Sequence, residues 1–142
     1  MQAKHKAIYG RSIQVDPTFP YYRGRSAASV AEEIRLAGYE IVHYFVVNER
    51  HVNRELIDAF QSCGIRVWAM VLGNGTFQVD GYPAQWPSWQ MGMLKPVNDG
   101  YTRLSPFSEG YRKWKKTAVA ELVYRYPFDG FEIAEPYFPE WD

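Results

Sequence analysis

The feature that most constrains the fold is a regular alternation of short apolar runs with amphipathic segments of helical period. Apolar residues dominate residues 39–47 and 65–72, as expected for strands buried on both faces of a parallel sheet. The segments between such runs place apolar residues every three or four positions, which is typical of helices that cover a sheet. Short crossovers of similar size join parallel strands through right-handed connections. The sequence therefore predicts a parallel βαβαβαβ unit of the α/β class.

Local signals set the limits of the first two helices. Strands are predicted at residues 11–16, 39–47, 65–72 and 128–134. Ser26 and Asn53 are expected to cap the first and second helices, because a side-chain oxygen at that position accepts a hydrogen bond from a backbone N–H of the first turn. Gly38 and Gly64 are expected to end them.

The third helix is predicted to begin at Ser105-Pro106, a cap followed by a first-turn proline. It carries a run of basic residues that favours a solvated outer face. These residues are Arg112, Lys113, Lys115 and Lys116.

Residues 73–104 show no clear period, and loops this long are uncommon unless they are functional. Tyr82, Trp86 and Trp89 lie in this segment and could offer flat apolar faces to sugar rings. The alternative is that they cover a sheet edge or the mouth of a barrel. Both interpretations stay open at this point.

The length of the chain limits the architecture. Its 142 residues suffice for a single α/β domain but fall short of the roughly 250 typical of a complete (β/α)8 barrel. We therefore expect residues 1–142 to form the N-terminal half of a larger TIM-type barrel. Four strands would leave two open sheet edges, which need more chain, a homo-oligomer or the long loop to cover them.

Composition excludes several classes of partner. Sixteen Lys and Arg balance sixteen Asp and Glu, so the basic footprint that nucleic acid requires is missing. There is no apolar run of membrane-spanning length, and we expect a soluble, by default cytoplasmic, protein without a membrane partner. No spaced set of metal ligands and no phosphate-cradling glycine loop occurs, so neither a metal nor a cofactor is expected.

Polar residues gather where the predicted strands end, which is where parallel α/β proteins bind ligands. They are Asp16, Asn48, Glu49, Arg50, Asn74, Glu132 and Glu135, with His43 inside the second strand. Glycoside hydrolysis uses two carboxylates that flank the scissile bond. Glu132 and Glu135 alone fit poorly, because three steps of a strand put them about 10 Å apart on opposite faces. A partner from another strand end, such as Asp16 or Glu49, or from outside this sequence, is more plausible.

The segment FDGFEIAEP at residues 128–136 resembles the fourth-strand signature of barrel glycoside hydrolases. Chitinase-like families have the pattern Asp-Gly-x-Asp-x-Asp-x-Glu, which Asp129, Gly130 and, conservatively, Glu132 match. Ala134 and Pro136 depart from it at the middle acid and at the catalytic Glu. In other barrel hydrolases a Glu just past this strand is the general acid/base, and Glu135 occupies about that place. In a retaining enzyme the resemblance implies a nucleophile on a later strand.

These observations predict a glycoside hydrolase-like protein that cleaves or binds oligo- or polysaccharides. Glu135 and Glu132 are its candidate catalytic residues. The candidate substrate-binding residues are Asp16, His43, Asn48, Glu49, Tyr82, Trp86 and Trp89. Glycosidase activity would require the complete barrel. The alternative is a non-catalytic sugar-binding or assembly module, which the losses at Ala134 and Pro136 favour. A flavodoxin-like domain is a third possibility, disfavoured because no phosphate loop follows the first strand.

Overall fold

The computed structural model describes residues 9–134, 136 and 138. A four-stranded parallel sheet, ordered β1-β2-β3-β6, alternates with three helices. The elements are β1 (Ser12–Val15), α1 (Ala27–Leu36), β2 (Ile41–Val46), α2 (Arg54–Ser62), β3 (Arg66–Leu72), β4 (Gly75–Thr76), β5 (Thr102–Arg103), α3 (Glu109–Arg125) and β6 (Gly130–Ala134). The predicted βαβαβαβ unit is confirmed, and several strands begin or end one or two residues inside their predicted bounds.

The caps of α1 and α2 are those predicted. Ser26 Oγ accepts a hydrogen bond from the Ser29 N–H at 3.1 Å, and Asn53 Oδ1 accepts one from Leu56 at 3.0 Å. Gly38 and Gly64 follow the helices with φ angles of 82° and 78°, in the left-handed region that glycine tolerates best.

The predicted start of the third helix is wrong by one turn. Ser105 Oγ accepts a hydrogen bond from the Phe107 N–H at 3.2 Å, which stabilises a tight turn rather than a helix. Ser108 is the cap instead, and its Oγ accepts from the Tyr111 N–H at 3.3 Å. Two serines three residues apart thus perform two different local tasks.

One face of the sheet carries the main core. The register aligns Val15, Tyr44, Ala69 and Phe131 across the four strands, and the first three are at most 1% exposed. The buried residues of α1 and α2, together with Leu122 of α3, pack in the same cluster as this face. The order of the strands follows the order of the sequence, as in a barrel, whereas a flavodoxin-like sheet reverses direction after its first strands. The topology is that of half a TIM barrel.

The opposite face, which we call the open face, has none of these helices on it. The register aligns Gln14, His43, Trp68 and Gly130 in one row across the sheet. Phe45, Met70 and Glu132 form the next row toward the carboxyl ends. In a complete barrel such layers of side chains point toward the interior.

Residues 73–104 are more ordered than predicted. β4 and β5 pair antiparallel, and a 3-10 helix spans Trp86–Trp89. Two-residue strands carry no periodic signal, so the pattern of the sequence could not reveal them. Within the described part of the chain, no helix is long and apolar enough to cross a membrane.

Candidate functional site

A groove of about 610 Å³ lies on the open face, toward the carboxyl ends of the strands. The residues that line it come from all four strands of the sheet and from the segments that follow β1, β2 and β4. They are Gln14, Asp16, Thr18, Phe19, Phe45, Val47, Met70, Phe77, Gln78, Glu132, Ile133 and Ala134. Two of the predicted site residues, Asp16 and Glu132, therefore share one groove.

Asp16 stands at the end of β1 and is only 9% exposed. Its Oδ1 accepts hydrogen bonds from the backbone N–H and the hydroxyl of Thr18, at 2.8 and 2.7 Å. No residue in the described part of the chain donates a hydrogen bond to Oδ2. This local turn fixes the carboxylate and leaves one of its oxygens available in the groove.

Glu132 is held by the predicted site residue His43. His43 Nδ1 lies 2.5 Å from Glu132 Oε1, a distance at which Nδ1–H donates to the carboxylate. The two side chains reach each other across β3, and both remain partly exposed. This contact brings two of the candidate site residues together.

The Asp-Gly pair before Glu132 has structural roles. Asp129 Oδ2 accepts hydrogen bonds from the Val67 N–H at 2.8 Å and from Gln61 Nε2 at 3.2 Å, which joins β3, α2 and the start of β6. The Trp68 indole lies against Gly130, where a Cβ would be 2.4 Å from two of its ring atoms. Gly130 thus makes room on the open face for Trp68, a residue that the strand composition alone did not single out.

Two exposed phenylalanines flank the groove. Phe19 is 57% exposed and Phe77 is 39% exposed, although both rings are apolar. Phe77 is supported by Phe45 and Tyr101, with ring centroids 6.2 and 5.0 Å away. Neither residue is among the predicted site residues, because single aromatic residues in loops next to the strand ends are a weak signal.

Asn48 is buried beneath the segment that carries Phe77. Its Nδ2 donates to the carbonyls of Gln78 and Asp80, and its Oδ1 accepts from the Arg50 N–H. All of its hydrogen-bonding atoms are engaged, and the side chain is 1% exposed. Direct substrate binding by Asn48 stays a prediction, and the contacts observed position the groove wall.

Glu49 and Tyr82 form a buried polar cluster with Lys115. Tyr82 donates its hydroxyl to Glu49 Oε2 at 2.7 Å, and Lys115 Nζ donates to Glu49 Oε1. Burial, and then the neighbouring Glu49 charge, raise the pKa of the Tyr82 phenol far above its ordinary range. The prediction that Lys115 belongs to a solvated outer face is wrong, because this ion pair draws it against the loop.

Trp86 and Trp89 pack toward α3 with Tyr82. They belong to a cluster that includes Leu104, Tyr111 and Trp114, and Trp89 is 5% exposed. The Trp89 and Trp114 ring centroids are 5.8 Å apart. None of the three predicted stacking residues is among those that line the groove. These residues pack against α3, and their stacking on sugar rings stays a prediction.

Glu135, the predicted acid/base, lies outside the described residues. It follows Ala134, the last residue of β6, directly in the sequence. Among the residues with a described structure, no group of three His, Cys, Asp or Glu side chains is arranged to hold a metal ion.

No protein-family model and no curated protein matches the chain. Its structure is similar to the crystal structure of a noncanonic maltogenic alpha-amylase, AmyB, from Thermotoga neapolitana, with a TM-score of 0.58 and 11% sequence identity. The likeness covers 94% of this chain and 39% of the length of the amylase chain. At this identity the similarity concerns the fold, and the chain shares the fold of part of a glycoside hydrolase.

Proposed function

We propose that this chain supplies the substrate-binding half of a carbohydrate-active, glycoside hydrolase-like barrel. The observation that supports the proposal best is the groove on the open face, which Asp16 and Glu132 line together with the exposed rings of Phe19 and Phe77. The distant likeness to part of a maltogenic alpha-amylase agrees with it at the level of the fold.

The chemistry of the groove suits a sugar chain. A sugar ring has apolar C–H faces, which stack on aromatic rings, and a hydroxyl edge, which needs acceptors and donors. Phe19 and Phe77 offer aromatic rings for stacking. Asp16 Oδ2 and the amides of Gln14 and Gln78 offer hydrogen-bond acceptors and donors for the hydroxyl groups. Binding pockets commonly combine apolar walls with a few placed polar groups in this way.

Hydrolysis would need more than these residues. Glu135 is the proposed general acid/base and Glu132 the second candidate carboxylate, with Asp16 positioning the substrate. Glycosidase activity is proposed for a complete barrel, because a later strand would then provide the remaining carboxylate.

Binding without turnover is the second candidate function. It is favoured by the engagement of Glu132, whose Oε1 is already hydrogen-bonded to His43 at 2.5 Å. The absence of acidic residues at Ala134 and Pro136 points the same way.

Calorimetric titration of the full chain with neutral linear oligosaccharides tests the proposal. Phe19→Ala should weaken binding about tenfold, since it removes a stacking surface, and Asp16→Asn should weaken it by a similar factor, since it removes a charged acceptor. Phe107→Ala and Glu55→Gln are matched controls at exposed positions that do not line the groove, and they should bind as the wild type does. Equal affinities for all four variants would contradict the proposed groove.

A reducing-end assay on the protein with its barrel complete separates the two functions, because hydrolysis is proposed for that form alone. Turnover by the complete protein, abolished in Glu135→Gln, would support hydrolysis. Wild-type turnover by Glu135→Gln would eliminate Glu135 as the acid/base, and binding with no turnover would support the module.

A further inference from the structure

We infer that the groove selects glycans by charge, binding chains with free amino groups more tightly than neutral chains and rejecting chains with carboxylate or sulfate groups. This inference rests on the proposed function and specifies its substrate class. It depends on the charges in the groove, on the burial of Asp16 and on the aromatic walls.

The charge of the groove is one-sided. Its described lining residues include two carboxylates, Asp16 and Glu132, and no Lys or Arg. The cation closest to them in the hydrogen-bond network is Arg23, whose Nε donates to the Thr18 carbonyl at 2.7 Å without lining the groove. The groove therefore presents negative charge that no Lys or Arg among its described lining residues offsets.

His43 does not cancel this charge while its imidazole is neutral. A neutral ring that donates Nδ1–H to Glu132 Oε1 leaves the full negative charge on the carboxylate. The hydrogen bond orients Glu132, and an ammonium group on a ligand would still find an anionic partner there.

Asp16 makes the selection stronger than a surface carboxylate would. The side chain is nine-tenths buried, and its Oδ2 receives no hydrogen bond from the residues that the structure describes. Electrostatic interactions strengthen where water is partly excluded, and charge-assisted hydrogen bonds are about twice as strong as neutral ones. An ammonium group at Oδ2 gains such a bond, whereas a ligand carboxylate meets repulsion from a fixed like charge.

The aromatic walls of the groove determine its affinity for sugar chains that carry no charge. Phe19 and Phe77 contact any sugar ring of suitable shape, whatever its substituents. Neutral chains should therefore bind. Charge selection should appear as a ranking of affinities, in which chains with free amino groups bind most tightly, N-acetylated chains less tightly and uronate chains least.

The test uses three tetrasaccharides, of glucosamine, N-acetylglucosamine and galacturonic acid, titrated into the full chain in low salt at pH 7, where an ordinary imidazole is mostly neutral. The glucosamine chain should bind about fivefold tighter than its N-acetyl counterpart, and the galacturonate chain about tenfold weaker or not at all. Raising the salt concentration to about 0.5 M should compress both ratios, because exposed charges are screened.

Asp16→Asn and Glu132→Gln are the informative variants. Asparagine can keep the hydrogen bonds from Thr18 and so preserve the turn, while it removes the charge. Each variant should bring the amine-to-acetyl ratio closer to one, and Glu55→Gln should leave it unchanged. An amine-to-acetyl affinity ratio of one in the wild type, or a ratio that both groove variants leave unchanged, would overturn charge selection. Binding of the neutral N-acetylated chain would still support the proposed function in that case. Failure of all three sugars to bind would overturn both.

Discussion

Replacing Lys115 by methionine should destabilise the fold strongly, because it isolates a buried carboxylate. The side chain of Glu49 is 2% exposed and that of Lys115 is 12% exposed, so both charges are largely removed from water. Methionine keeps much of the length of the lysine stem but removes the ammonium group. Among the described residues, the Tyr82 hydroxyl is then the remaining side-chain donor to Glu49, at 2.7 Å.

The size of the effect follows from the burial of this pair. Removing one partner of a buried ion pair costs about 3–5 kcal/mol, since the remaining charge is desolvated without compensation. The hydrogen bond from Tyr82 remains, so the lower end, about 3 kcal/mol, is expected for Lys115→Met. Urea unfolding followed by tryptophan fluorescence measures the change in the free energy of unfolding.

Lys116→Met is the matched control. Lys116 is the next residue of α3 and is exposed, so its substitution should change the free energy of unfolding by no more than about 0.5 kcal/mol. A Lys115→Met variant as stable as Lys116→Met would refute the structural importance of the Glu49, Tyr82 and Lys115 cluster.

Two further predictions concern the open face and the core. Gly130→Ala should cost about 1–3 kcal/mol in urea unfolding, because its Cβ would lie 2.4 Å from the Trp68 ring. Gly92→Ala is its control, since no atom lies within 4 Å of a Cβ there, and equal stability of the two variants would contradict the packing described. Burial raises the pKa of Tyr44 from its ordinary 10.0 to about 12, so the fold favours the neutral phenol. The stability that it contributes is complete below pH 10 and is lost as the pH rises from 10 to 12, by about 3 kcal/mol. Unfolding curves across this pH range should show the decline, and a stability independent of pH there would exclude it.

The architecture could be predicted because its determinants are local. The caps at Ser26 and Asn53 and the stops at Gly38 and Gly64 act through hydrogen bonds and backbone conformations within a few residues. The apolar runs at residues 39–47 and 65–72 identify two of the strands by composition alone. The start of α3 was misplaced because Ser105 and Ser108 both offer a cap, and only the turn at residues 106–107 decides between them.

The site was predicted only in part, because its determinants are not local. Asp16 and Glu132 were identified since parallel strands bring their carboxyl ends together. The path of residues 73–104 depends on contacts with α3, which buries Tyr82 and Trp89 and leaves Phe77 at the groove. The periodicity of the sequence does not indicate which of these aromatic residues is buried and which lies at the groove.

The central claim is that the groove on the open face binds a sugar chain, and mapping chemical shifts on the isotope-labelled full chain tests it most directly. During titration with a linear oligosaccharide, we expect the chemical-shift changes to be concentrated at the groove, with those of Phe19, Phe77 and Asp16 among the largest. The exposed residues of α1 and α2 on the other side of the sheet should not shift. Shifts confined to the helices, or none at millimolar sugar, would contradict the claim.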